Sequence, residues 1–180
     1  MNSKVEIRFQ QLESQKKQLI AEIKPLSDAQ KSFSDGDGVW SINQVLMHLL
    51  QVEQGVLQYM QKNNPSGTIP PAGLGALFRS KILTAILKSP LRFKAPKRIG
   101  APSNSVSFAE ILHTWDETRQ QLHEFLGSLP EMRVKSAIFN HPRAGKIDIF
   151  QTMKFIGEHI KHHKKQIRRI QNAQHFPRQN

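Results

Sequence analysis

Asp148-Ile149-Phe150-Gln151-Thr152-Met153-Lys154-Phe155-Ile156-Gly157-Glu158-His159-Ile160-Lys161-His162-His163-Lys164-Lys165-Gln166-Ile167-Arg168-Arg169-Ile170 opens on a cap and keeps one face apolar to its end. Asp148 and Gln151 stand three residues apart, so each side chain can satisfy an exposed backbone N–H at a helix start. Met153, Ile156, Ile160, Ile167 and Ile170 then follow helical spacing and form a stripe for burial. Lys164, Lys165, Arg168 and Arg169 crowd the last turns, where positive charge suits the negative end of the helix dipole. A helix that is apolar on one stripe only must bury that stripe against other elements.

Three further segments offer such partners. Ser107-Phe108-Ala109-Glu110 repeats the cap, and Phe108, Ile111, Leu112, Trp115, Leu122, Phe125, Leu126 and Leu129 continue at helical spacing to the stop at Pro130. Trp40-Ser41-Ile42-Asn43-Gln44 opens a helix over about 42–60 whose stripe is Val45, Leu46, Leu49, Val52, Val56, Tyr59 and Met60. Residues 4–26 place Val5, Phe9, Leu12, Leu19, Ile23 and Leu26 on one face, with Lys16 interrupting it and Pro25 near its end. Ser27 to Gly38 reads as a polar connection, and His141-Pro142-Arg143-Ala144-Gly145 as a turn. The fold class this predicts is all-α: a four-helix bundle with one long crossover between its second and third helices.

That crossover, residues 61–106, has its own texture. It holds Pro65, Pro70, Pro71, Pro90, Pro96 and Pro102 and eight Lys or Arg residues, and no acidic residue occurs from Gln54 to Ala109. Leu74, Leu77, Phe78, Leu83, Ile86 and Leu87 predict a short amphipathic helix over about 74–87, so the segment reads as a basic crossover or lid. The 180 residues suit a single domain, 1–180.

Composition narrows the function classes. With 26 Lys plus Arg against 14 Asp plus Glu, the net charge is +12, which attracts anionic partners. No Cys is present, so disulfides, Cys-ligated metals and a Cys nucleophile are excluded, and any metal must be held by His and carboxylates. No segment approaches the roughly 18 apolar residues of a membrane span, and the start Met1-Asn2-Ser3-Lys4-Val5-Glu6 lacks a secretory pattern, so a cytoplasmic location is expected. Nucleic-acid binding through 61–106 is the alternative that charge suggests. Only Phe78 and Phe93 are aromatic between the basic residues, however, too few for a stacking platform.

Eight histidines are present, at 48, 113, 123, 141, 159, 162, 163 and 175. His159 and His163 are four apart on a helix, which puts both imidazoles on one face with Cβ atoms roughly 5–6 Å apart. His48 borders the apolar stripe of the second helix and is the natural third ligand. Three neutral imidazoles would leave a coordination position open, the pattern of catalytic zinc. Spacing alone leaves a second reading equally open: His48 bonded to a carbonyl at the core edge, and His159, His162 and His163 on a solvated face. Gln44, Gln51 and Gln166 lie three or four residues from these histidines and could support them from behind. Glu53 and Glu158 are the nearest carboxylates in sequence, with helical phases that point away; Asp116 and Glu117 suit exposed ion pairs.

The order Trp40-Ser41, His48-Leu49 and, much later, Phe155 to Ile167 with its His159, His163 and Gln166-Ile167, resembles the DinB/YfiT-like superfamily over nearly the whole chain. His141-Pro142-Arg143-Ala144-Gly145-Lys146 resembles the lead-in to the last helix of that family. The resemblance implies a four-helix bundle, often a homodimer, with a divalent metal, nickel or zinc, on three histidines. Carried over by position, the ligands are His48, His159 and His163, with His162 leaving a one-residue choice for the third. It implies either a thiol-dependent S-transferase using a low-molecular-weight thiol cosubstrate, or a metal-dependent hydrolase, acting on a small-molecule substrate. A metal-binding or interaction bundle without catalysis is the remaining alternative.

Overall fold

The computed structural model describes residues 1–63, 75 and 102–178. The crossover and its expected helix over 74–87 therefore lie almost wholly outside the described residues. Four long helices form the body: α1 (Ser3–Ile23), α3 (Ile42–Lys62), α4 (Phe108–Ser128) and α5 (Ile149–Gln171). A short α2 (Asp28–Ser32) precedes α3, and a 3-10 turn (Glu131–Arg133) and a hairpin of β1 (Phe139–His141) and β2 (Gly145–Ile147) lead into α5.

Each start follows from its cap. Ser41 with Gln44, Ser107 with Glu110 and Asp148 with Gln151 form reciprocal capping boxes at α3, α4 and α5. Ser27 with Gln30 does the same at α2, inside the stretch read from sequence as a plain connection. The signal was present there, but a five-residue helix shows no periodicity to accompany it. The hairpin stands where the sequence predicts only a turn, because three-residue strands are too short to show alternation. Gly145, with φ 65°, takes the left-handed position that closes this three-residue loop.

The stripes bury largely as their spacing predicts, with Trp115, Leu46, Leu49, Ile23 and Ile111 at the centre of the core, while Leu112 stays outside it. α1 packs on α5, and α3 packs on both α4 and α5, which makes an all-α bundle. The approach of α1 to α5 is close at Gly157, where an added Cβ would stand 2.7 Å from Gln15 Oε1 and 3.2 Å from Leu12 Cδ2.

Lys16 does not interrupt the packing of α1. It is buried, with its Nζ donating to Asp116 Oδ1 at 2.7 Å and lying 5.3 Å from the Trp115 ring centroid. Its aliphatic stem fills the stripe while the ammonium leaves at the edge. Deeper between the helices, Arg119 of α4 donates from Nε to Glu53 Oε2 at 2.6 Å and from Nη2 to Glu53 Oε1 at 2.8 Å. Its Nη1 donates to Glu13 Oε1 at 3.1 Å, and Trp115 Nε1 donates to Glu53 Oε2 at 3.0 Å. One planar guanidinium thus ties α1, α3 and α4 together. Among the described residues no helix is long and apolar enough to cross a membrane.

Candidate metal centre

His48 projects from α3 toward α5, where His159 and His163 sit one turn apart. One ring nitrogen from each of the three comes within 4.8 Å of the other two. The ring centroids are 5.1 Å apart for His48 and His159, 4.8 Å for His48 and His163, and 4.5 Å for His159 and His163. His48 and His163 are buried, and His159 is half-buried. The solvated-face reading therefore fails for His163. His162, on the neighbouring face, is not a member of the cluster.

The rings are held in different ways. His163 Nδ1 lies 2.8 Å from Gln166 Oε1, and because an amide oxygen only accepts, Nδ1 carries the proton. The lone pair of His163 is then on Nε2, which faces His159 Nε2 at 3.0 Å. Two cis nitrogen ligands at about 2.0–2.1 Å from a metal stand roughly 3.0–3.4 Å apart, so this pair fits one ion. His48 has no such tether: its Nδ1 is buried without a hydrogen-bond partner among the described residues. Packing against Trp40, with ring centroids 5.1 Å apart, orients it instead. Phe155 stacks on His159 from the other side, at 5.6 Å and 24°.

The electrostatics favour neutral rings, the state a metal requires. Burial lowers the pKa of His48 to about 4. Burial, and then the neighbouring His48, lower that of His163 to about 3, against a smaller opposing effect of Gln166. Burial first, and then the surrounding imidazoles, hold His159 well below the ordinary value. His141 is lowered to about 4, by burial and then by Arg143.

A stability prediction follows with a definite sign. An unfolded histidine takes up its proton near pH 6.5, whereas these folded ones refuse it until about pH 4 or below. The unfolded state thus binds more protons in that window, so stability falls as the pH is lowered from about 6.5. By about pH 5 the metal-free protein should lose up to about 2 kcal/mol for each histidine that stays neutral. Urea unfolding of the metal-free protein between pH 7 and 5 checks this, and an unchanged midpoint would refute it.

The other candidate residues separate cleanly. Of the three glutamines only Gln166 reaches a histidine of the cluster. Gln44 is spent on the α3 cap and donates to the Pro102 carbonyl at 2.8 Å, and Gln51 is exposed. Glu53 is locked by Arg119, and Glu158 pairs with Lys161 at 3.0 Å. Asp116 takes Lys16, and Glu117 lies 3.3 Å from His113. His123 and His175 lie beside Glu6 and Asp35 at the surface.

The sequence profile of the DinB superfamily matches residues 11–167. An uncharacterized protein of Bacillus subtilis (strain 168), YuaE, is 27% identical over 152 residues, which span 83% of this chain and 88% of that protein. No solved structure gives a significant match.

Proposed function

Because the chain belongs to the DinB superfamily, we propose that it is a divalent-metal protein whose ion is held by His48, His159 and His163. The observation that carries this reading is the convergence of three ring nitrogens within 4.8 Å, with His163 fixed by Gln166 so that its Nε2 lone pair faces His159. An all-imidazole donor set suits zinc and nickel. Three protein ligands leave room for an exogenous one. A divalent metal bound there would supply Lewis acidity and would lower the pKa of a thiol or water beside it.

The reaction we propose is S-transfer from a low-molecular-weight thiol to a small electrophile. Its thiol must come from solution, since the chain has no Cys. The carboxylates of Glu53 and Glu158 are engaged elsewhere, so neither is placed to take a proton at the cluster. A thiol whose pKa is lowered in this way would need no such base. In the transfer, its proton passes to solvent, the new S–C bond forms, and the leaving group departs with the bonding pair. Trp40 packs against His48 and Phe155 stacks on His159, so both rings have an aromatic neighbour.

Protein purified without a His tag tests the metal. Elemental mass spectrometry after reconstitution with zinc or nickel should find one ion per chain, and none would overturn the reading. In a cobalt-loaded sample, a low-molecular-weight thiol should add a thiolate charge-transfer band, whose absence would refute the S-transfer chemistry alone. Gln166→Ala should weaken metal affinity roughly 10–100-fold, the usual cost of losing the group behind a ligand. Calorimetric titration measures this, and an unchanged affinity would show that the bond from His163 to Gln166 does not support the centre.

A further inference from the structure

His141 stands outside the three-imidazole cluster, yet its ring is held in one orientation and one tautomer. The backbone N–H groups of Arg143 and Ala144 both donate to its Nδ1, each at 3.1 Å. A ring nitrogen that accepts carries no proton, so the neutral ring bears its proton on Nε2. The pairing of His141 with Gly145 across the hairpin holds the turn that supplies those donors. Both of these hydrogen bonds fall on Nδ1, and Nε2 lies on the side of the ring away from the turn.

The surroundings give that donor a setting. His141 is buried at 7% exposure and meets Phe155 edge-on, with ring centroids 4.5 Å apart. Phe155 is the ring that stacks on His159. Phe139 lies 6.2 Å from His141, and Tyr59 lies 5.4 Å from Phe139. A fixed N–H donor is therefore set in an aromatic wall that abuts the histidine cluster. Ligand sites pair an apolar lining with a few placed polar groups.

We propose that His141 is the substrate-positioning donor of this centre, its Nε2–H holding the carbonyl oxygen of a small aromatic or apolar substrate against the wall of Phe139 and Phe155. The inference rests on the metal reading above. It assigns no proton transfer to His141; the ring binds and orients.

The test uses His141→Asn. The Asn Oδ1 can accept the same two backbone N–H groups, as in an Asx turn, while its shorter side chain removes the donor on the far side. Wild type and variant are loaded with zinc, their metal content is measured, and each is titrated with benzohydroxamate, an aromatic probe bearing a carbonyl oxygen. At equal zinc content the variant should bind the probe roughly three- to ten-fold more weakly, the worth of one hydrogen bond. Equal affinity at equal zinc content overturns the role of His141 and leaves the metal centre standing. A wild type that takes up neither zinc nor nickel overturns the metal reading and this inference with it. Nitrogen-15 NMR of the wild-type histidines is a second measurement that does not depend on the variant folding. The proton of His141 should be on Nε2, and that resonance should shift when the probe binds; a proton on Nδ1, or an unmoved resonance, overturns the proposal.

Discussion

Arg119→Ala is expected to lower the free energy of unfolding by about 3–5 kcal/mol, the cost of breaking a buried pair from one side. The side chain is 3% exposed, and its guanidinium makes two hydrogen bonds to Glu53 and one to Glu13. Truncation leaves the Glu53 carboxylate, itself 3% exposed, with the Trp115 indole N–H as its remaining partner in this network. Alanine also opens a void at the meeting of α1, α3 and α4. Urea denaturation of the metal-free variant measures the loss, and a change below about 1 kcal/mol would mean that the network is no stronger than a surface pair. Glu53→Gln should cost less, because the amide oxygen still accepts from Trp115. Since these residues lie away from the histidines, metal uptake by the folded variant should be unchanged.

His159→Ala is expected to have the larger effect on function. It removes the ring that stands 3.0 Å from His163 Nε2 and 5.1 Å, centroid to centroid, from His48. Loss of a direct ligand should exceed the roughly 10–100-fold cost of losing a supporting group, so purified variant should carry no stoichiometric metal. The helix should persist, because the apolar stripe of Met153, Ile156, Ile160 and Ile167 stays buried. His162→Ala is the matched control. Its ring is 5.2 Å from that of His163 yet is not one of the three that converge, so metal content should be retained. Equal loss in both variants would overturn the assignment of His159, and retention in both would overturn the centre.

Much of the bundle is legible in the amino-acid sequence. The capping boxes at Ser41, Ser107 and Asp148 and the apolar stripes that follow them are local facts, and a helix start or face depends on residues within a turn or two. The placing of His159 and His163 on one face is equally local. Lys16 shows where such reading stops: a charge inside a stripe looks like an interruption until Asp116, a hundred residues away in the chain, is seen to receive it at 2.7 Å. Glu53 shows the same limit. Its helical phase separates it from His48, but only packing reveals that Arg119 and Trp115 fill the space it faces.

The amino-acid order by itself determined four amphipathic helices, their starts, the pair of histidines four apart and the absence of any thiol ligand, because each depends on periodicity or composition. The tertiary structure decided that His48 meets that pair, that Gln166 alone of three glutamines supports it, and that the His141 ring is pinned by its own turn. Those outcomes depend on the rotation of one helix against another and on a hairpin only three residues to the strand, and neither is encoded within the reach of a single turn.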